Sequence, residues 1–182
     1  MEFRRLAIPH VVLIEPKVFT DDRGLFFESF NAHEFERGTG LRRDFVQDNH
    51  SISRRGVLRG LHYQLPPFAQ GKLVRVIHGR IFDVAVDIRR GSPSFGKWVG
   101  EILSGDNRRQ LWIPEGFAHG FWVLEDDTQV LYKATAPYHQ ESERTLAWND
   151  QDLAIAWPVK ASPILSGRDA SAVGLGEAEV FT

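Results

Sequence analysis

The chain of 182 residues is 42% hydrophobic and 12% aromatic, enough to bury the core of one ordinary domain, so residues 1–182 are read as a single unit. Lys and Arg number 22 against 24 Asp and Glu, a balance that leaves no basic field for nucleic acid. Cysteine is absent, which excludes disulfides, thiolate metal sites and cysteine nucleophiles.

The amino-terminal stretch 1–16 carries two arginines and a short apolar run broken by Pro9 and Pro16, without a small-residue cleavage site. No segment reaches the roughly 20 apolar residues of a membrane helix, so no membrane partner and a soluble, cytoplasmic protein are expected. Asn31 is placed to cap a short helix over 32–37, with Gly38 as its terminator. From about residue 45 to 148, short runs rich in Val, Ile, Leu, Phe and Trp alternate with Gly, Pro, Asn and Asp, an all-β signature. The clearest hairpin joins 73–77 to 81–88 through His78-Gly79-Arg80. In its second run Phe82, Val84, Val86 and Ile88 form an apolar face, and Asp83 and Asp87 lie on the other. Further strands are predicted over 98–103, 110–113, 119–124 and 128–134, and a second helix past Trp148. Many short strands at regular spacing point to a sandwich or barrel.

Polar groups recur along these strands. Arg59 and His62 fall on opposite faces under strict alternation, so both can face one pocket only if the strand bulges or bends at Gly60. A lone histidine in such a strand is usually a satisfied core group. Here, however, Lys72 opens the next strand, Asp83 lies on the one after, and His119 and Tyr132 belong to two more, a convergence that suggests a site. Gln47, Asn49 and His50, with Arg23 and Glu28, offer hydrogen bonds for sugar hydroxyls and phosphate oxygens. Arg23, Arg59 and Arg168 carry the two-pronged donor that fits a diphosphate. Gln64 stands where a metal-binding barrel would want a second histidine, and no nearby glutamate completes a His-His-Glu set. Neither G-x-G-x-x-G nor G-x-x-x-x-G-K occurs, so no nicotinamide, flavin or nucleotide-loop fingerprint is present.

Five ordered segments carry a resemblance: Gln47-Asp48-Asn49-His50-Ser51, Gly56-Val57-Leu58-Arg59-Gly60-Leu61-His62, Gln70-Gly71-Lys72-Leu73-Val74-Arg75-Val76, the run 111–121 from Leu-Trp-Ile-Pro-Glu-Gly to His119-Gly120-Phe121, and Trp148-Asn149-Asp150. Together they resemble the dTDP-4-dehydrorhamnose 3,5-epimerases over nearly the whole chain. The resemblance implies an all-β cupin-type jelly-roll barrel with a few short peripheral helices, acting as a homodimer without metal or cofactor on a dTDP-4-keto-6-deoxyhexose, in dTDP-L-rhamnose biosynthesis. It also implies roles: His62 as base in a dyad with Asp169, Lys72 stabilising enolate charge, and Tyr132 returning a proton from the opposite face. Arg23, Glu28, Gln47, Asn49, Arg59, His119, Glu143 and Arg168 would hold the nucleotide sugar, Phe19 and Tyr138 would stack on thymine, and Arg23 and Glu28 would reach the neighbouring subunit. Arg168 stands where the family commonly has lysine. A C3-only epimerase or ketoisomerase, a metal-dependent cupin oxygenase and a non-catalytic binding module remain as alternatives.

Overall fold

The computed structural model describes residues 1–158 and 160–182. Its strands in chain order are β1 (Glu2–Arg5), β2 (Val12–Glu15), β3 (Val18–Asp21), β4 (Gly24–Phe27), β5 (Gln47–Ser53), β6 (Leu58–Gln64), β7 (Lys72–His78), β8 (Arg80–Asp87), β9 (Trp98–Ser104), β10 (Gln110–Ile113), β11 (Phe117–Val123), β12 (Thr128–Ala134) and β13 (Glu143–Thr145). Helix α1 spans Ala32–Thr39 and the single turn α2 spans Gly167–Ala170. A six-stranded sheet in the order β1-β2-β10-β7-β12-β5 faces a five-stranded sheet in the order β13-β6-β11-β8-β9, and β3-β4 form a separate hairpin. This is the expected jelly-roll sandwich with short peripheral helices.

The alternation of side chains builds three apolar layers from two sheets. Between the sheets, Leu13, Val74, Leu111 and Val130 meet Ile81, Val99, Phe121 and Val123. On the outer face of the five-stranded sheet, Leu61, Tyr63, Val84 and Val86 are covered by Leu146, Leu153, Leu175 and Val180 of the carboxyl-terminal segment. On the outer face of the other sheet, Trp112 and Val12 pack under Phe35 of α1 together with Phe30 and Phe45.

The expected hairpin pairing is corrected. Residues 73–77 and 81–88 form strands, but they do not pair: β7 lies in the six-stranded sheet and β8 in the five-stranded one. Gly79, at φ +77°, carries the chain from one sheet to the other in so tight a space that a Cβ would run into Thr128. The apolar row of β8 also faces outward, under the carboxyl-terminal segment, whereas Asp83 and Asp87 are fully buried. Burial opposes ionisation of Asp87, yet bonds from Arg89, Ser92 and Ser94 outweigh it and hold its carboxyl down at about 2.

Helix α1 forms where Asn31 predicts it, the Asn31 Oδ1 accepting from the N–H groups of His33 (3.0 Å) and Glu34 (3.2 Å), a cap that contributes about 1 kcal/mol. It runs past Gly38, whose missing Cβ makes room for the Phe3 ring, and ends at Gly40 with φ +76°. The helix expected past Trp148 is only the turn α2, because that segment serves as an irregular apolar cover. The bounds of strands β1 to β4 are not legible in the residues themselves, as their four-residue runs show no usable period; the resemblance implies only that amino-terminal strands exist.

Candidate active site

A cavity of about 280 Å³ opens between the sheets. Asn49 and Ser51 from β5, Lys72 from β7 and Tyr132 from β12 line it on the six-stranded side; Arg59 and His62 from β6 and His119 and Phe121 from β11 line it on the other. The bulge expected at Gly60 is present: Arg59 pairs with Phe121 and His62 with His119, so β6 fits one more residue than β11 between the same two pairs. Gly60 is at φ +121°, and its Cα approaches so closely that a Cβ would lie 2.6 Å from the Gly120 Cα and 2.7 Å from the His119 carbonyl oxygen. Glycine here brings Arg59 and His62 onto one face.

His62 Nε2 lies 2.6 Å from Asp169 Oδ1. Asp169 is 4% exposed and sits on α2, where Ser166 is the cap residue. Burial pushes its carboxyl up, but hydrogen bonds from the His62 ring, the Ser166 side chain and the Gly60 backbone outweigh that and hold it below the usual carboxylate range. An anionic Asp169 requires the proton on Nε2, which leaves Nδ1 of His62 as the basic nitrogen.

Lys72 is 7% exposed; its Nζ is 3.5 Å from the His62 carbonyl oxygen and 5.7 Å from the centre of the Tyr132 ring. Burial lowers its ammonium to about 8, against the opposing pull of Asp83 and Glu143. It therefore keeps its proton at neutral pH while losing most of its usual margin. Burial, with Glu143, raises Tyr132 above the ordinary phenol value, so its hydroxyl remains protonated. A second pair lies behind the first: His119 Nε2 is 2.7 Å from Asp83 Oδ1. Burial outweighs Asp83 and holds His119 below the ordinary imidazole value. Sequence reasoning placed Asp83 on a polar strand face without its partner and missed Ser51 and Phe121; the first lies within the quoted motif at 47–51 and the second closes the motif at 111–121.

The remaining site residues divide by place. Arg59 donates to Ser53 Oγ at 3.2 Å, and Gln47 Nε2 donates to Asn49 Oδ1 at 3.0 Å. The Tyr138 hydroxyl donates to Glu143 Oε2 at 2.8 Å, and the Arg168 guanidinium pairs with the same oxygen, a cluster that continues from α2, which carries Asp169, to β13, which pairs with β6. Within one chain, Arg23 and Glu28 are not brought to the cavity. Arg23 is bonded to Asp21 on the β3-β4 hairpin with its side chain 90% exposed, Phe19 is on the same hairpin, and Glu28 accepts from Asn31. Among the described residues no three His, Cys, Asp or Glu side chains are grouped to hold a metal ion.

Two histidine–aspartate pairs, a buried ammonium and a phenol thus surround one cavity. The family model described as dTDP-4-dehydrorhamnose 3,5-epimerase matches residues 5–177. The dTDP-4-dehydrorhamnose 3,5-epimerase of Pseudomonas aeruginosa is 57% identical over 100% of this chain and 99% of its own length. The crystal structure of dTDP-6-deoxy-D-glucose-3,5-epimerase from Legionella pneumophila, in complex with dTDP-4-keto-L-rhamnose, superposes with a TM-score of 0.94 at 52% identity, covering 98% of this chain and 94% of that one. A 3'-monoepimerase from Streptomyces bikiniensis in complex with dTDP-quinovose superposes at 0.89 with 34% identity, covering 97% and 88%. With its fold and nearly its whole length in agreement, the chain belongs to the dTDP-4-dehydrorhamnose 3,5-epimerase family of isomerases.

Proposed function

We propose that the chain performs its family's reaction, converting dTDP-4-dehydro-6-deoxy-D-glucose to dTDP-4-dehydro-L-rhamnose, with His62 as base, Lys72 as electrophile and Tyr132 as acid. C3 and C5 both adjoin the C4 ketone. A proton leaves either carbon when the charge passing to the C4 oxygen is stabilised, which is the task of a fixed cation such as Lys72. His62 Nδ1 takes that proton, and Asp169 stabilises the imidazolium that forms. Tyr132 then supplies a proton from the other face and the carbon is inverted. One proton leaves and one arrives at each carbon, so the ketone itself carries the reaction and no redox cofactor is called for. Arg59, Gln47, Asn49 and His119 hold the sugar and phosphates, and Tyr138, Glu143 and Arg168 the nucleotide end.

The observation that carries this reading is that His62 and Tyr132 project from opposite sheets into one cavity that Lys72 also lines, its ammonium 3.5 Å from the His62 carbonyl oxygen and 5.7 Å from the centre of the Tyr132 ring. Turnover in heavy water tests it: deuterium should enter at both C3 and C5, and His62→Ala should abolish both. Normal exchange in that variant removes His62 as the base. Deuterium at C3 alone would favour a second reading, inversion at that carbon only, which the similarity to a 3'-monoepimerase motivates.

The protein acts as a homodimer in which each β3-β4 hairpin brings Arg23 and Glu28 to the other subunit. Supporting this, the hairpin stands apart from both sheets and exposes Phe19 (54%), Leu25 (49%) and Phe26 (72%), more apolar surface than a free hairpin should show to water. Mixed dimers of Arg23→Ala and His62→Ala should regain activity through one intact site; no recovery on mixing would rule out the exchange. On this reading the chain works as one domain in the cytoplasm. No helix among the described residues is long and apolar enough to cross a membrane.

A further inference from the structure

Gln64 follows His62 by two residues on β6 and shares its inward face. It is 3% exposed, and its amide is engaged with the backbones of two loops. Nε2 donates to the carbonyls of Phe68 (2.6 Å) and Pro137 (3.1 Å), and Oε1 accepts from the His139 N–H (2.9 Å). The first loop leaves β6, and the second leaves β12. Between the anchored positions 137 and 139 lies Tyr138, whose own N–H donates to Gln47 Oε1 at 2.8 Å. Three consecutive backbone units are thus held by two amide side chains rooted in the strands that carry His62 and Asn49. The same two loops are joined again where the His139 ring stacks on Phe68 at 3.8 Å and 11°. The Tyr138 side chain, by contrast, is half exposed and bonded only at its hydroxyl, to the Glu143 and Arg168 side chains, so its place depends on its backbone.

We propose that Gln64 is a positioning residue that fixes Tyr138, and through it Glu143 and Arg168, at a set distance from His62, so that the nucleotide end of the substrate is held in register with the reacting carbons. The inference rests on the reading that Tyr138 and its neighbours receive the nucleotide. Glutamine suits the position because its amide offers two donors and an acceptor without charge, whereas glutamate would set a carboxylate against two carbonyl oxygens. The position that a metal-binding barrel would give to a ligand is here committed to loop geometry. Loss of Gln64 should therefore weaken nucleotide binding while leaving proton transfer on a bound sugar nearly intact.

A double-mutant cycle on the full-length protein decides it, with Gln64→Met and Tyr138→Ala alone and combined, read as the Kd for dTDP and as kcat and KM in turnover. Gln64→Met should raise Kd and KM about tenfold, the scale of a lost buried hydrogen-bond set, with kcat within about threefold and its pH profile unmoved. In the Tyr138→Ala background it should add less than about twofold, because the element it positions is gone. An equal effect in both backgrounds, or a fall in kcat with KM unchanged, overturns the inference and leaves the nucleotide reading standing. No effect of Tyr138→Ala on the Kd overturns that reading and the inference with it. Should Gln64→Met not fold, Gln64→Glu, which keeps the acceptor for the His139 N–H and loses both donors, is read in the same cycle with the same outcomes.

Discussion

If Lys72 is the electrophile, it should couple activity and stability with opposite signs. Lowering its ammonium from the ordinary 10.5 to about 8 means that keeping the charge buried costs about 3 kcal/mol, at about 1.4 kcal/mol per pH unit. The folded state binds fewer protons than the unfolded chain between pH 8 and 10.5, so the Lys72 contribution destabilises fully below about 8 and is relieved as pH rises through that window. Activity runs the other way: with a value of about 8, about nine-tenths of the free enzyme carries the cation at pH 7 and about one-tenth at pH 9, so kcat/KM should fall roughly tenfold between those values. Lys72→Met should lose at least about 10²-fold in kcat, as removal of one oxyanion-stabilising group typically does, yet gain up to about 3 kcal/mol against urea at pH 7. Lys72→Arg should move the alkaline limb beyond pH 10 whatever its absolute rate. The assays are deuterium exchange at C3 and C5 across pH and equilibrium denaturation at pH 7 and 9.5. A flat rate from pH 7 to 10, or a Met variant less stable than the parent at pH 7, would refute the account of a buried, reluctantly charged electrophile.

For Tyr132→Phe, net inversion should fall about 10² to 10⁴-fold while isotope exchange at the carbons survives better, since abstraction does not use the phenol; unchanged product formation would remove Tyr132 as the acid. Asp169→Asn should cut kcat by at least about 10²-fold with KM little changed, because an amide no longer demands the proton on Nε2; a full-rate variant would show that the dyad is ornamental. Gly60→Ala should cost at least about 2 kcal/mol, from the positive φ and the contacts with Gly120 and His119, and should misplace Arg59 and His62 together. Wild-type stability and kinetics in that variant would mean that the bulge does not depend on glycine.

Legibility in the sequence was uneven for physical reasons. Strand positions after residue 45 were readable because period-2 alternation is local, and the cap at Asn31 because capping is a matter of a few neighbouring bonds. Pairing was not readable: a tight Gly79 turn looks the same whether it folds β8 back onto β7 or passes it to the facing sheet. Nor could alternation tell which side of β8 is the interior, since the carboxyl-terminal segment supplies an apolar lid to the outer row and frees the inner row to carry Asp83. His62, Lys72, His119 and Tyr132 were legible as polar residues on successive strands, and the structure brings all four to one cavity. Arg23 and Glu28 are legible as polar binding groups, but one chain by itself does not carry them to the cavity, and only the resemblance points them to a neighbouring subunit.

The His62–Asp169 bond spans 107 positions, and its carboxylate arrives on the segment that also seals the five-stranded sheet. A nascent chain can therefore lay down both sheets, with His62, Lys72 and Tyr132 in place, before it owns an aligned base. If the His62–Asp169 pair is the base, any lesion that loosens that apolar cover should silence proton transfer before it unfolds the barrel.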